Sequence, residues 1–373
     1  MSPIHIMHVI DSLAPGGAER MLVEIANATL QDGYQVSVCV TRNRTDLASQ
    51  LDSEIHLYIL QRRYRFDIQP MRRFAQLANL VDILHVHGRS SLSFVTFLKT
   101  FQLIRRNLPY ILHDHFGIEN DPSIPLWFRL WGKYSLSCYV AVYSRQISWA
   151  KKAGIPSHKT TVIDNALQLR RIFDSTPSNV RSLFNLPAEV PIGVLVGGIR
   201  FEKAVDFLLP ILVKVEYPFH LLLIGADSDP IYAQYCRTQI GELGLTDKIT
   251  FTGARTDVPA LIKGCDFALM SSRSESGPLV LIEYLSAGLP IVSTLVGGIS
   301  KRLDELGVEK FVSVGSDNEF VTALNELLSI SPEQRKKRGE HGQAIVAQYF
   351  DIQHVMPQWY AVYAQCLGKD ESI

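Results

Sequence analysis

Three features that would mark a special class of protein are missing from this sequence. No apolar run approaches the roughly 18 residues that a membrane-spanning helix needs, so we expect no transmembrane segment. The N-terminal residues lack the basic stretch that opens a secretory signal peptide. Basic and acidic side chains balance at 37 each, so the overall charge does not indicate nucleic-acid binding. These absences favour a globular protein of the cytoplasm.

Cysteine is scarce as well. The five cysteines are odd in number, scattered, and mostly set within apolar runs. This pattern indicates reduced thiols in a hydrophobic core rather than the disulfide framework of a secreted domain. The chain also has no low-complexity segment, and its only internal similarity is between its two halves.

The sequence does contain an alternation of short apolar strands with helix-length amphipathic stretches, and this alternation occurs twice. It predicts an α/β protein with two doubly wound parallel sheets, one in each half. The mixed, polar residues 165–190 are predicted to link the halves. The predicted strands are 4–10, 35–41, 55–60, 82–87, 109–113, 138–142 and 160–164 in the first half, and 192–198, 219–224, 248–252, 266–270, 290–294 and 310–314 in the second.

The stretch from Ser272 to Gly298 predicts a strand end, a turn and a helix. Pro278 suits the first helical turn, where its missing N–H would be unpaired in any case. Such a helix start directs free N–H groups and a positive dipole into the crevice at the strand ends, where an anion binds. Glu275 precedes the helix and Glu283 follows about two turns later. A helical spacing puts them roughly 12 Å apart, beyond the 5–9.5 Å of a glycosidase pair, so we interpret them as contacts to two parts of one ligand.

Two further motifs offer groups that bind phosphate. Arg200 and Lys203 follow a predicted strand and can hold a diphosphate, although a solvated helix start is the commoner explanation for such a pair alone. Gly16 and Gly17 form a strand-to-helix turn that either approaches a ligand closely or is a plain tight turn. They do not form the G-x-G-x-x-G fingerprint, which argues against a nicotinamide cofactor.

Two His-x-His pairs, His85/His87 and His113/His115, lie at predicted strand ends, so each pair points to one side of its strand. Metal-binding hydrolases with this pattern need further histidine and aspartate ligands, and only Asp114 is close in sequence. We therefore favour histidines of the core or of a ligand cleft over a metal site. We expect no metal and no other cofactor.

The Glu-x7-Glu motif contains Gly277 and Pro278 and is followed by SAGLPIV and the pair Gly297–Gly298. In this it resembles the retaining GT-B glycosyltransferases of family four, and the resemblance spans essentially the whole chain. It implies two Rossmann-like domains that face each other across a cleft, with a C-terminal helix that crosses back to the first domain. The implied domains are 1–168 with 350–373 on the acceptor side, and 169–349 on the donor side.

The resemblance also implies a role for each candidate residue. Arg200 and Lys203 hold the diphosphate. Glu275 binds sugar hydroxyls, Glu283 binds the ribose hydroxyls, and His115 orients the sugar ring. The other donor contacts fall on Gly16, Gly17, Gly198, Gly253, Arg255, Gly277, Pro278 and Leu279.

The sequence departs from the family pattern at four positions. Gly198 stands where many relatives have arginine, and Ala204 stands where glycine is usual. Asn165 matches an asparagine of the family, with Asp164 and Ala166 as departures beside it, and a simple turn residue explains Asn165 equally well. The resemblance gives no role to His87 or Arg89, which we expect beside the ligand.

The implied function is transfer of a sugar, with retention of configuration and without a metal, from a nucleotide-diphosphate sugar to an acceptor. UDP is favoured as the nucleotide because it is the commonest in similar proteins, and the acceptor is a glycan, a lipid-linked molecule or a small molecule. A nucleotide-sugar 2-epimerase of the same fold is one alternative. Another is a non-catalytic binding relative, which we would expect to have lost Glu275, Lys203 or His115, all of which are present.

One stretch, residues 60–106, has nine basic residues against Asp67 and Asp82. A solvated helix face explains this excess, and so does docking on anionic lipid at the inner membrane face, where each basic residue contributes about 1 kcal/mol. Arg62, Arg63, Arg72 and Arg73 are the arginines proposed to contact lipid. The aromatic residues interleaved with the charges are Tyr64, Phe66, Phe74, Phe97 and Phe101.

Overall fold

The computed structural model describes residues 3–64, 67–115 and 135–368, which form two compact units. Unit 1 comprises Met1–Leu167 and Ile352–Ile373, and unit 2 comprises Gln168–Asp351. The sequence analysis set these divisions at 168/169 and 349/350. Among the helices of the described residues, none combines the length and the hydropathy needed to cross a bilayer.

Unit 1 is built on a seven-stranded parallel sheet with the order β3-β2-β1-β4-β5-β6-β7. Its strands are β1 His5–Ile10, β2 Gln35–Val40, β3 His56–Ile59, β4 Ile83–His87, β5 Tyr110–Asp114, β6 Cys138–Ala141 and β7 Thr160–Val162. The chain order reverses between β1 and β4, and ligands of open α/β sheets bind beyond the strand ends at such a reversal. All seven strands were predicted from the apolar runs.

The last helix of unit 1 comes from the far end of the chain. The helices of four or more residues described in this unit are Gly17–Gln31, Ile68–Ala78, Arg89–Thr100, Ser144–Lys152 and Ile352–Cys366. The helix Ile352–Cys366 packs against Gly17–Gln31 and buries Trp359 and Tyr363 almost completely. Tyr360 of the same helix stacks on Tyr34 with ring centroids 5.2 Å apart. The aromatic residues of this helix are therefore part of the core of unit 1.

Unit 2 has a five-stranded parallel sheet in the order β10-β9-β8-β11-β12, with its reversal between β8 and β11. The strands are β8 Ile192–Val196, β9 His220–Ile224, β10 Ile249–Gly253, β11 Phe267–Met270 and β12 Ile291–Ser293. The predicted sixth strand at 310–314 is wrong. This segment meets only the end of β12: the Val312 N–H donates to the Ser293 carbonyl oxygen at 2.9 Å, and a single bridge joins Thr294 to Val312.

Local signals account for where several helices of unit 2 begin. The Asp229 side chain accepts from the N–H groups of Ile231 and Tyr232 at the start of one helix. Ser331 and Gln334 form a capping box at the start of another. The helices are Arg170–Phe173, Val180–Leu183, Val205–Val213, Pro230–Glu242, Val258–Lys263, Leu279–Ser286, Gly297–Glu305, Asp317–Ser329 and Pro332–Tyr349.

Candidate functional site

The helix Leu279–Ser286 begins just beyond β11, next to the strand-order reversal of unit 2. Pro278 is its N-cap, one position before the first turn in which the sequence placed it. The Gly298 N–H donates to the Ser276 carbonyl oxygen at 2.7 Å and fixes the loop before the helix. Gly297 has a φ of +78°, and a Cβ on it would lie 2.8 Å from the same oxygen. The paired glycines therefore allow the two loops to meet.

Lys203 and Glu275 form an ion pair beside this helix start. Nζ of Lys203 donates to Oε1 of Glu275 at 2.7 Å, and the Ser272 hydroxyl donates to the same oxygen at 3.0 Å. The Lys203 and Glu275 side chains are 14% and 16% exposed. The pair is partly shielded from water but still reachable, so a ligand phosphate can replace the carboxylate as the partner of Lys203.

The turn after β8 contains two of the four departures from the family pattern, Gly198 and Ala204. A Cβ on Gly198 would lie 2.1 Å from Oγ of Ser228, so a larger residue here would displace that serine. Ala204 adopts a left-handed conformation with a φ of 55°, which explains why glycine is usual at this position. Arg200 in the same turn is half exposed, with Nε 3.6 Å from Oε2 of Glu202. Arg200 is therefore accessible to a ligand.

Arg273, which the sequence analysis did not single out, braces this turn. Its guanidinium donates to the Phe201 carbonyl oxygen at 2.8 Å and forms a bidentate pair with Asp206 at 2.8 and 2.7 Å. Its backbone N–H donates to the Glu202 carbonyl oxygen at 2.9 Å. Burial raises the pKa of Asp206, but hydrogen bonds from Arg273 and Tyr232 and the charge of Arg273 outweigh it and hold that pKa below its usual value.

The other donor-side candidates lie elsewhere in unit 2. Oε1 of Glu283, inside the helix, lies 3.9 Å from Nη2 of Arg171. Gly253 ends β10 with a φ of +72°. Two residues later, Arg255 makes a bidentate pair with Asp257 at 2.9 and 2.7 Å on the surface. Glu283 and Glu275 thus face different cations, as suits residues that contact different parts of a ligand.

The Gly16–Gly17 turn joins β1 to the first helix of unit 1, and both glycines are exposed. A Cβ on Gly16 would lie 2.4 Å from Oε2 of Glu19, so the Glu19 carboxylate is folded over this turn. Burial raises the pKa of Glu19. Sequence reasoning quoted this motif but overlooked Glu19. Asn165, near the end of the unit's main segment, is buried.

Five buried histidines gather near the carboxyl ends of the central strands of unit 1. Strand register places His8 opposite His85, and His87 opposite His113. Because side chains two residues apart on a strand share a face, His115 joins the same side as His113. We call His8, His85, His87, His113 and His115 the histidine cluster, and all are at most 4% exposed.

The rings of the cluster contact one another through their nitrogens. Nδ1 of His8 lies 3.0 Å from Nε2 of His87, and Nδ1 of His87 lies 2.9 Å from Nε2 of His115. Nδ1 of His85 lies 3.0 Å from the Tyr363 hydroxyl. Burial lowers the pKa of His8 and His115 to about 3, and it lowers the pKa of the other three well below 6.5. All five rings are therefore neutral at physiological pH.

Two overlapping groups of three in the cluster have ring nitrogens within 4.8 Å of one another, a spacing compatible with metal ligands. The sequence analysis treated the two His-x-His pairs separately and did not foresee this convergence. Asp114, the one extra ligand considered there, is engaged otherwise. Its carboxylate accepts from Arg89 at 2.9 Å and from the Tyr139 hydroxyl at 2.8 Å. A metal in this cluster would therefore have to rely on neutral imidazoles.

The fold buries some residues of the basic stretch 60–106 and leaves others exposed. Arg62 is 8% exposed and pairs with Asp11 at 3.1 Å, and Phe74 is fully buried, so the expectation that these two residues contact lipid is wrong. Phe97 is partly buried, and Phe66 lies outside the described residues. Exposed apolar residues that remain in this stretch are Tyr64, Ile68, Leu80, Phe101 and Leu103.

Comparison with known protein families identifies the class. A model described as Glycosyltransferase Family 4 matches residues 15–171, and one described as Glycosyl transferases group 1 matches residues 190–329. Together the matches span most of the chain and correspond largely to the two Rossmann-like units. The chain belongs to the GT-B glycosyltransferases, and the predicted similarity to family four is confirmed at this level.

Individual relatives are distant but cover much of the chain. An N-acetyl-alpha-D-glucosaminyl L-malate synthase of Bacillus anthracis is 24% identical over 308 residues, covering 81% of this chain and 79% of the relative. An uncharacterized glycosyltransferase of Haemophilus influenzae is 21% identical and covers 93% and 96%. Among solved structures, Anabaena HepE in complex with UDP-glucose has a TM-score of 0.83 at 20% identity, covering 97% and 99%.

Proposed function

We propose that this chain is a retaining glycosyltransferase that moves a sugar from a nucleoside-diphosphate sugar to an acceptor hydroxyl. The observation that carries the proposal is the Lys203–Glu275 ion pair beside the start of the helix Leu279–Ser286. A diphosphate requires cations and N–H donors, whereas a sugar requires hydrogen-bond acceptors. Unit 2 brings both kinds of group together where the turn after β8 meets the loop before this helix.

The leaving group in this proposal is a nucleoside diphosphate, so negative charge grows on its β-phosphate as the glycosidic bond breaks. Lys203, Arg200 and the backbone N–H of Leu279 supply cations and a helix start to stabilise that charge. The acceptor attacks from the face that the phosphate leaves, and its hydroxyl proton passes to the departing phosphate oxygen. Configuration is thereby retained, and no metal is needed.

The remaining contacts divide between the sugar and the nucleoside. Glu275 accepts from sugar hydroxyls, and Glu283 accepts from the ribose. In unit 1, His115 orients the sugar ring. UDP is favoured as the nucleotide, a choice supported by the structures of the similar protein HepE with UDP and UDP-glucose.

The acceptor is a glycan, a lipid-linked molecule or a small molecule. A lipid-linked acceptor fits the surface of unit 1, where Arg72 is exposed in the same stretch as Tyr64 and Phe101. Cationic side chains can hold anionic headgroups while exposed aromatic rings enter the lipid interface. We propose this surface as a peripheral contact with anionic membrane.

The test begins with calorimetric titration of the protein with UDP, GDP, ADP and dTDP. Transfer from sugars of the best-bound nucleotide is then followed by NMR, which reports the anomeric configuration of the product. We expect UDP to bind best, the configuration to be retained, and the rate to be unchanged by excess EDTA. An inverted product, or activity lost in EDTA and restored by Mg²⁺ or Mn²⁺, would refute the mechanism.

A further inference from the structure

Three consecutive carbonyl groups of the turn after β8 are held by residues of one other loop. The carbonyl oxygens of Phe201 and Glu202 accept from Arg273, at 2.8 Å from its guanidinium and at 2.9 Å from its backbone N–H. The Lys203 carbonyl oxygen accepts from the Ser271 hydroxyl at 2.9 Å. Both donor residues belong to the loop that follows β11. This loop therefore fixes the backbone from which the Lys203 side chain extends.

The guanidinium of Arg273 is committed to groups of the protein. It forms a bidentate pair with Asp206 at 2.8 and 2.7 Å, and Asp206 also accepts from the Tyr232 hydroxyl. It lies over the Phe201 ring, with Cζ 4.3 Å from the ring centroid. The Arg273 side chain is 30% exposed, whereas that of Arg200 is half exposed. The charge of Arg273 is thus already balanced by a carboxylate, while Arg200 remains accessible to a ligand.

The turn needs support because it contains a strained residue. Ala204, which directly follows Lys203, is fully buried and has a φ of 55° and a ψ of 44°. This left-handed conformation is unfavourable for a residue that has a Cβ, but not for glycine. Relaxation of Ala204 to a right-handed backbone would move the residues before it. The three carbonyl contacts oppose that relaxation, so Lys203 keeps its position while the next residue stays strained.

We propose that Arg273 is a positioning residue for the diphosphate site, which holds the turn in the form that presents Lys203 to a phosphate. The effect on ligand binding rests on the proposed function, in which Lys203 contacts the diphosphate. The effect on the turn depends only on contacts within unit 2. A direct role for the charge of Arg273 is the competing explanation. Arg273→Lys separates the two, because lysine keeps the charge but lacks the forked pair of donors.

The first measurement is amide hydrogen exchange of the ligand-free protein, followed on a peptide that covers residues 200–206. The N–H groups of Lys203 and Ala204 are bonded within the turn, at 3.0 and 3.1 Å from their acceptor oxygens, and report its opening. In Arg273→Lys these groups should exchange about tenfold faster, because a contact that closes the turn is lost.

Arg338→Lys is the matched control. The Arg338 side chain is 32% exposed and also pairs with a carboxylate, that of Glu309. Glu309 accepts from the N–H of Ile291, the first residue of β12. It therefore lies at the opposite edge of the parallel sheet from the turn, which follows the last residue of β8. This variant should change neither the exchange of the turn nor the binding of a ligand.

Ligand binding gives the second measurement, by calorimetry with UDP and by NMR titration with uridine. Arg273→Lys should weaken the binding of UDP about tenfold and leave that of uridine unchanged, because only the diphosphate requires the turn. In a Lys203→Ala background the same substitution should weaken UDP by about threefold or less, because the group that it positions is already absent. A purely structural residue would affect both ligands alike and both backgrounds by the same factor.

Relief of the strain gives the third measurement. Glycine adopts a left-handed backbone readily, so the turn should need less support in Ala204→Gly. Combined with Arg273→Lys, this substitution should recover most of the lost UDP affinity and most of the slow exchange. Ser271→Ala is a milder variant that removes only the bond to the Lys203 carbonyl oxygen. It should show the same pattern as Arg273→Lys, at about threefold.

Separate outcomes identify which idea fails. Exchange of the turn at the wild-type rate in both Arg273→Lys and Ser271→Ala would overturn the proposal. Full UDP affinity in Arg273→Lys, or equal losses for UDP and uridine, would overturn it as well. If the exchange results hold but UDP does not bind to the wild type, Arg273 still holds the turn and the proposed function fails. If UDP binds as expected but no sugar is transferred from any donor, the positioning role stands and the transferase proposal fails.

Discussion

The two units share the strand order of a Rossmann-like sheet but place different chemistry near the strand ends around its reversal. In unit 1 the side chains gathered there are the histidine cluster, whose rings are neutral and almost completely buried. In unit 2 they are charged, with Lys203 against Glu275 and Arg273 against Asp206. One fold has therefore produced a neutral, directional hydrogen-bond network and a partly exposed set of charges.

The difference follows from what each set of groups can bind. Charges that keep some contact with water lose less hydration energy and can exchange partners with an incoming diphosphate. Buried neutral rings cannot balance phosphate charge, but they can hold a donor or an acceptor at one fixed position. Specialisation of unit 2 for phosphate and of unit 1 for orientation is the division that the following experiments test.

Lowering the pH should produce the largest difference in stability between the two units. The pKa values of the five buried histidines lie below the 6.5 of the unfolded chain, so the unfolded state binds more protons below pH 6.5 and unit 1 loses stability as the pH falls from 6.5 toward 3. Each histidine contributes up to about 1.4 kcal/mol per pH unit. Hydrogen exchange, corrected for its intrinsic pH dependence, should show unit 1 opening before unit 2.

Single substitutions sharpen the acid experiment. His113→Phe should reduce the pH dependence of unit 1 by about one histidine's share, up to about 1.4 kcal/mol per pH unit. His158→Asn, at an exposed position of the same unit, is the control and should leave it unchanged. Simultaneous opening of both units would mean that the cluster does not control the acid stability of unit 1.

The second experiment removes a charge from unit 2. Lys203→Ala should lower kcat/KM. The activation free energy should rise by about 2–4 kcal/mol, the usual cost of losing a group that stabilises transition-state charge. Lys336→Ala, at a 77% exposed position of the same unit, is the matched control. Transfer kinetics and thermal unfolding should be measured together. A variant that turns over like the wild type would remove Lys203 from the phosphate site.

The third experiment separates the two glutamates. Glu283→Gln should weaken binding of the bare nucleoside diphosphate by about tenfold, because its proposed partner is the ribose. Glu275→Gln should bind the nucleotide nearly normally and transfer sugar more slowly, because its proposed partner is the sugar. Titration calorimetry and transfer assays on both variants decide the matter. The opposite pattern would show that the two roles are exchanged.

The smallest expected effect concerns charge on the outer surface of unit 1. Arg72→Ser should weaken binding to anionic vesicles by about fivefold, the equivalent of about 1 kcal/mol for one basic residue. Salt should weaken the binding of the wild type, because exposed charges are screened over about 10 Å at 0.1 M. Co-sedimentation with neutral and anionic vesicles measures both effects. Arg302→Ser in unit 2 is the control, and equal binding to both vesicle types would argue against the lipid contact.

Sequence patterns predicted the elements that depend on residues close together in the chain. Apolar runs located all the strands of both sheets, and Pro278 marked the helix start to within one residue. The prediction of an extra strand at 310–314 was wrong. The apolar pattern of this segment is that of a strand, but its pairing depends on how far β12 extends. The helical spacing of Met71, Phe74, Ala75 and Ala78 does indicate that Phe74 lies on the buried side of its helix, so its assignment to the basic surface came from counting aromatic residues without regard to that spacing.

The candidate site shows the same limit. Glu275 and Lys203 were found separately by their motifs, but their direct pairing depends on two loops that are 72 residues apart in sequence. The histidine cluster needed the register of β1 against β4, which no pattern within a single strand contains. Arg273 had a usable signal, because it precedes Glu275 by two residues in the loop that follows β11. The contacts of Arg273 with the turn after β8 could not be predicted from its position in the sequence.

The origin of the last helix of unit 1 has a consequence for how the chain is made. A ribosome completes residues 1–167 first, yet the helix that buries Trp359 and Tyr363 in that unit is made only after residues 168–351. At about 5–20 residues per second, roughly 10–40 s separate the two events. Unit 2, which is continuous in sequence, is fully translated within that interval. We therefore expect unit 2 to fold first on the ribosome, while residues 1–167 remain without the helix Ile352–Cys366 that packs on their histidine cluster.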